Sequence, residues 1–539
     1  MPGEGGMGDR WDAIVVGSGH NGLVAGFYLA RGGLRTLILE RRDFVGGACV
    51  TEEFAPGFRA SPGAYVLSML RPQIWRDMRL RERGLKVSQS GPSLNVFPDG
   101  RSFTLHAETR DAVEEIARIS AKDARAFPRF EHHFKEVAKA LIPLYDRRAF
   151  DPRLAHAEDL REAAVAGWLA LRHRRSLSEI AYLFATSASQ ILDEFFESEE
   201  VKSALGWESI SNTLSGPGTP GTAYRLLHEA AVSGGAGGGL GWGFVEGGMG
   251  VVTRLMADAA REAGATIRTS AEVETFLVRS GRATGVVLDG GEELRARVVL
   301  SNADPKRTFL GLTQPSDLPE EFRARVRAYK SEGASMKINL AVSELPMMKS
   351  DGRPGVKPYH RGLVQITKFL SDLDRDQQGA ARGEPAQQPH IEMCIPTVHD
   401  PSLAPEGKHV VTLGVRSQPY SLDGGGWDDR KDKIVDGVLE YVEEFIPNLR
   451  SSILHREILT PLDLERRLGL TGGHHMHGDM SPDQLFFLRP VRGYGGYRTP
   501  LRNLYLCGAG THPGGGVSGA NGRNGAATVL KDLKRRRKR

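Results

Sequence analysis

Three stretches carry residue types and spacings suited to chemistry. The first is Gly17-Ser18-Gly19-His20-Asn21-Gly22, with Glu40 placed 18 residues beyond Gly22. Glycine at those three positions allows a tight turn out of a strand, close approach of a pyrophosphate to the backbone, and close helix–strand packing. A helix starting there aims unpaired N–H groups at the phosphates, and its dipole favours their charge. An acid near the distance of Glu40 bonds the ribose hydroxyls of a dinucleotide. The second stretch, Gly508-Ala509-Gly510-Thr511-His512-Pro513-Gly514-Gly515-Gly516-Val517-Ser518-Gly519, repeats the GxGxxG spacing over 514–519. The third is the cluster Gly473-His474-His475-Met476-His477-Gly478-Asp479. Histidines move protons near neutral pH. No second ligand group is spaced to complete a metal site with them.

The elements needed to position these residues are legible around them. Ala13-Ile14-Val15-Val16 reads as a buried strand, Leu23, Phe27 and Ala30 mark one helical stripe, and Gly32-Gly33 ends that helix. A second strand over 35–39 delivers Glu40 to its C-terminal end. A further GxGxxG match at residues 3–8 has no strand before it and reads as a floppy terminus. Residues 514–519 do follow a short strand, 504–507, and precede a helix, 520–530. Their place at the far end of the chain predicts a second cradle for the same cofactor.

Between these ends, 48–70 reads as a loop-rich segment against the cofactor, and 94–97 with 102–105 as a hairpin about Pro98-Asp99-Gly100. Val113, Ile116 and Ala117 recur at helical spacing, as do Phe127, Phe130 and Phe134, and Ile191 with Phe195 and Phe196. These aromatics fit two readings, core packing and the lining of an apolar cavity. The stretch 233–243 is glycine-rich and fits a flexible loop or a close approach to a ligand. After Glu246-Gly247-Gly248-Met249-Gly250 comes a helix with Val252, Leu255, Met256 and Ala259 on one face, then strands over 265–269, 273–278, 285–288 and 298–300. Strands at 335–342 and 410–415 and an amphipathic helix at 433–445 follow. The polar stretch 371–390, with four glutamines, reads as a surface loop or a lid.

The 539 residues suit two or more domains, or one large discontinuous one. Seven basic residues and one acid fall in the last nine, so the net charge of +5 belongs to the tail and the remainder sums to about −1. That argues against a nucleic-acid-binding face. The tail fits either a frayed, solvated end or attraction to anionic lipid. Cys49, Cys394 and Cys507 are far apart, which excludes a CxxC redox pair or zinc knuckle and suits a reducing compartment. The N-terminus is too polar for a signal peptide, and no apolar run reaches spanning length. A cytoplasmic location, with possible peripheral contact on the inner face of a membrane, is the expectation.

DAIVVGSGHNGLVAGFYLARGG with Glu40, GFVEGGMG, VVLSNADP, HGDMSPDQLFFLRP and LYLCGAGTHPGGGVSG together resemble the phytoene-desaturase-like family of FAD-dependent oxidoreductases. Within it, the resemblance is to the branch named for a pyridine nucleotide-disulfide oxidoreductase domain, although no cysteine pair is present here. The resemblance implies an α/β chain, α+β overall. A Rossmann-like FAD-binding domain of the glutathione-reductase/amine-oxidase type would take residues 1–85, 240–310 and 465–539. A discontinuous inserted substrate domain of mixed sheet plus helices would take 86–239 and 311–464.

It implies FAD held by Gly17, Ser18, Gly19, His20, Asn21 and Gly22 at the pyrophosphate, and by Glu40 and Arg41 at the ribose. Gly46 and Gly47 would lie near the phosphates and ribityl chain, with Ala48 where the family carries a basic residue. Val273 would meet the adenine through its backbone, Asn302 belongs to the SNADP motif, and Gly508, Gly510, Pro513, Gly516, Val517 and Gly519 would run beside the ribityl chain and ring. His477 becomes the candidate catalytic residue and His512 a positioning one. The expected reaction is desaturation or isomerisation of an apolar, polyene or lipid-like substrate, with oxygen or a quinone as acceptor. The alternatives are an amine-oxidase-like enzyme acting on a small amine or secondary metabolite, and a flavin-bearing adaptor without turnover.

Overall fold

The computed structural model describes residues 10–153, 157–232, 242–351 and 355–538. Most of the glycine-rich stretch 233–243 and the GxGxxG match at 3–8 lie outside the described residues.

Two seven-stranded sheets organise the chain. In the first, a parallel core runs Thr266–Arg268, Thr36–Leu39, Arg10–Val16, Glu293–Ser301 and Leu504–Leu506 in spatial order. An antiparallel meander, Val273–Arg279 and Arg282–Leu288, extends it from the start of Glu293–Ser301. Parallel strands buried on both faces need near-continuous apolar runs. Ala13 to Val15 and Val298 to Leu300 supply them, each 0% exposed. The His20–Arg31 and Ala520–Lys538 helices pack on each other, so the first and last cofactor motifs meet in space. The last helix continues to Lys538, with residues 534–537 exposed to solvent. Arg498 and Tyr505 anchor it through Asp532, at 2.6 and 2.8 Å.

The second sheet is ordered Ile453–Leu459, Ser335–Val342, His409–Arg416, Ile391–Cys394, Val364–Ile366, Ser93–Val96 and Ser102–Leu105. All pairs are antiparallel except Val364–Ile366 with Ser93–Val96. Trp427–Glu443 covers one face through Trp427, Val435, Val438 and Val442. Among the described residues, six of the seven α-helices between Thr109 and Val232 contribute to a further apolar cluster, in which Phe127, Phe130 and Phe134 are buried.

The surface loop expected over 371–390 begins as a helix, Leu370–Ala381. Leu370, Leu373, Gln377 and Ala380 fall on one buried face. Gln377 Nε2 donates to the Thr213 carbonyl at 2.8 Å, so a polar residue closes the stripe that apolar periodicity alone did not reveal. Among the described residues no helix is long and apolar enough to cross a membrane.

Leu373 is 0% exposed, so Leu373→Ala is expected to cost about 2–5 kcal/mol, read by chemical denaturation. A change below about 0.5 kcal/mol would restore the surface-loop reading.

Candidate active site

The first motif folds as strand, turn and helix because its glycines leave no room for side chains. Asn302 Nδ2 lies 3.5 Å from the Gly17 carbonyl, and a Cβ on Gly19 would come within 2.9 Å of the same nitrogen. A Cβ on Gly22 would collide with the Gly17 carbonyl oxygen. Ser18 faces away from the cleft: its N–H and Oγ donate to Glu40 Oε2 at 2.9 and 2.7 Å. Glu40 Oε1 accepts from the Arg42 N–H at 3.1 Å. The acid at the end of the second strand therefore locks the turn and keeps lone pairs for a ligand. Gly46 bridges to Gly19, and its N–H donates to the Ser18 carbonyl at 3.1 Å.

A cavity of ≈ 380 Å³ opens from this cradle. Gly17, Gly19, His20, Asn21, Glu40, Arg41, Gly47, Ala48, Val273, Asn302, His477, Gly516 and Val517 all line it. Ser18, Gly22, Gly46, Gly508, Gly510, Pro513 and Gly519 stand behind its wall and shape it. A Cβ on Gly508 would lie 2.5 Å from the Asn302 carbonyl oxygen, so the C-terminal loop presses directly on the SNADP motif. His20 Nε2 and His477 Nδ1 are buried without a hydrogen-bond partner. Unpaired polar atoms and bare backbone along one cleft suit a large, polar ligand with phosphates.

The histidines divide. His477 lines the cavity at φ +54°, and its carbonyl accepts from Tyr329 Oη at 3.0 Å. Burial lowers its pKa and Asp304 opposes that fall. His475 lines the cavity too, with Nδ1 2.5 Å from Asn212 Oδ1. Burial, with Arg416 and Lys337 adding to it, lowers its pKa to about 3. His474 is fully buried behind them.

His512 stands apart from them. It lies outside this cavity, its Nε2 donates to the Leu144 carbonyl at 3.0 Å, and its ring packs against Tyr145 and Phe486. Its task is to hold the glycine loop against the helical insert. The strand Leu504–Leu506 carries that loop past the cavity wall, which turns His512 outward.

Sequence reasoning missed several groups. Arg489 is fully buried and donates to the carbonyls of Met476, Gly478, Asp479, Gln484 and Ala509, at 2.7 to 3.3 Å. It stands near the end of the HGDMSPDQLFFLRP motif, so its position was legible and its role was not. Lys337 is 3% exposed, donates to the Ser61 and Gly63 carbonyls, and sits 4.4 Å from the Tyr65 ring centroid. Burial lowers its pKa to about 7. A lysine inside the fully buried strand Ser335–Val342 is a signal that sequence could have shown. Arg225 and His228, one helical turn apart on Ala223–Val232, also line the cavity.

Residues 22–530 match the model of the flavin-containing amine oxidoreductase family. The chain belongs to that family. It is a mixed α/β flavoenzyme, and its cofactor is FAD. The oxidoreductase is 42% identical to the pyridine nucleotide-disulfide oxidoreductase domain-containing protein 2 of Rattus norvegicus, over 97% of this chain and 94% of that one. It is 26% identical to a limonene dehydrogenase subunit of Castellaniella defragrans, over 97% and 95%. Its fold resembles that of a putrescine oxidase triple mutant, with a TM-score of 0.62 at 16% identity over 98% and 99%. The cradle fits FAD: the Gly17–Gly22 turn and Gly47 would hold the pyrophosphate, Glu40 the adenosine ribose, and Gly516 and Val517 would flank the ring.

Two outcomes are expected. Arg489→Met leaves five buried carbonyls short of a donor and should destabilise the protein by about 3–5 kcal/mol in chemical denaturation. Histidine burial sets the response to acid. Unfolded histidines titrate near 6.5, whereas burial holds His228 at about 3 and His20 and His512 at about 4. As pH falls, the unfolded chain binds protons first. The stability these groups contribute is complete above pH 6.5 and is lost as pH drops toward their folded values. The denaturation free energy at about pH 5 should lie below that at pH 7.5 by up to about 2 kcal/mol for each such histidine. Equal stability at the two values would contradict the burial.

Proposed function

We propose that this oxidoreductase dehydrogenates or isomerises an apolar, lipid-like substrate, in keeping with the phytoene-desaturase-like resemblance. The observation that carries the reading is the chamber beyond the cradle. Tyr65, Met69, Trp242, Met476 and Met480 supply its apolar wall. Through the shared residues Trp207, Glu208 and Trp242 it adjoins a second cavity of ≈ 140 Å³. Phe127, Phe130, Phe134, Leu205 and Leu226 line that second space. Residues that read either as core or as cavity lining thus do both.

When bound, FAD supplies a hydride acceptor. The chain's own part is to exclude water, orient the substrate and take the proton. The thioether and indole side chains keep the chamber dry and adaptable to long apolar chains. His477 Nδ1, buried and unpaired, is the atom placed to accept a proton. The hydrocarbon for which the limonene dehydrogenase relative is named supports an apolar substrate here. A second reading, an amine-oxidase-like activity, draws on the putrescine oxidase likeness and on Glu208, a carboxylate in the shared wall. Arg225 and Arg416 in the same wall weigh against it, because an ammonium would face two guanidinium groups.

Anaerobic mixing of the purified holoprotein with terpenes and carotenes in parallel with alkyl amines tests the reading. The expected result is loss of flavin absorbance with the hydrocarbons, recovery on admitting oxygen or a quinone, and a product with a new or rearranged double bond. Bleaching by amines alone would transfer the protein to the second reading. A flavin reducible by dithionite that never cycles with any substrate would favour an adaptor.

A further inference from the structure

The chamber end of the main cavity contains a guanidinium whose buried nitrogens lack hydrogen bonds. Arg225 is 8% exposed and lines the cavity. Its Nε and Nη1 are buried with no hydrogen-bond partner. Asp479 Oδ1 stands 3.6 Å from Nη1 and is likewise without a hydrogen bond, while Asp479 Oδ2 accepts from Thr213 Oγ1 at 2.9 Å. Arg416, in the same wall, pairs with Glu392 at 3.3 Å and also leaves its Nε unpartnered. Behind the wall, Arg489 and Lys337 bond backbone carbonyls.

At the chamber end of the cavity wall, Arg225 and Arg416 stand with one carboxylate, Glu208. Behind them, burial pushes the Glu392 carboxyl toward its neutral form and the Lys337 ammonium toward its own. A buried guanidinium short of acceptors is costly unless a ligand supplies them. The planar fork of arginine matches the two oxygens of a carboxylate.

We propose that Arg225 seats a substrate carboxylate, so that the substrate is an amphiphilic acid. Its head group meets the guanidinium at Nη2, the nitrogen that is not among the enclosed ones. Its apolar chain passes Trp207 and Trp242 into the second cavity, against Phe127, Phe130 and Phe134. The phenylalanines beyond the two tryptophans suit the apolar part of such a molecule. The proposal rests on reading this chamber as the substrate end of the flavin site, and it narrows the substrate class from apolar to apolar with one anionic end.

Calorimetric titration of the FAD-loaded protein with dodecanoate, dodecanol and dodecylamine tests it. Dodecanoate should bind about tenfold or more tighter than dodecanol. Arg225→Met should abolish that difference and leave dodecanol affinity within about twofold of the parent. Equal binding of acid and alcohol by the parent protein, tighter binding of dodecylamine, or an acid preference that survives Arg225→Met would overturn the proposal. Should the methionine variant not fold, Arg225→Lys keeps the charge and gives up the fork. There the acid preference should drop several-fold, and an unchanged preference overturns the proposal. The acid-to-alcohol ratio reads the seat alone, whereas a flavin that none of the hydrocarbons or amines reduces counts against the redox reading instead.

Discussion

The site depends on one buried guanidinium. Arg489 has no exposure to solvent and spends its donors on carbonyls of two segments, the histidine loop between Met476 and Gln484 and the glycine loop at Ala509. Five donors in a rigid plane can satisfy that many converging carbonyls, which a lysine ammonium with three donors cannot. The two loops lie against each other in the cavity wall, and this single group ties them together. Met476 follows directly: its side chain fills the space beside Gly515, where a Cβ would collide with it. His477 is held by the same arrangement at a positive φ that few histidines adopt.

Around that clamp the protein uses close backbone approach where a ligand must lie and large apolar side chains where water must be kept out. Gly17, Gly19 and Gly22 bring strand, helix and Asn302 together with no intervening side chains. The opposite chamber is built of methionine and aromatic rings that adapt to an apolar partner. Burial of the imidazoles is the electrostatic consequence. His20, His228 and His475 remain neutral at physiological pH, available as bases and hydrogen-bonding groups, and the cations of the chamber reinforce that state at His475.

Membership of the flavin-containing amine oxidoreductase family accounts for the cradle and the fold. It leaves the substrate end to be read from side chains. That end combines an apolar lining with fixed positive charge. The amphiphilic acid proposed above would use both features.

The cofactor cradle was legible from residue order because its determinants are local. A strand, three spaced glycines, a helix and an acid all lie within residues 13–40, and steric and hydrogen-bonding rules act over that range. The strands at 335–342 and 410–415 were legible for the same reason, as short stretches in which apolar residues predominate. The helix Leu370–Ala381 was not, because its buried face includes Gln377, which is satisfied by the Thr213 carbonyl 164 residues away. The contacts of His512 were not legible, because adjacency to the glycine loop says nothing of which way a side chain turns. Arg225, Arg416 and Lys337 could not be brought together from the sequence, since they sit on three elements that converge only after both sheets and the helical insert pack. The local motifs therefore determined that a dinucleotide cofactor binds. Long-range packing decided which charges face the chamber, because desolvation and pairing are properties of neighbours that the chain order does not contain.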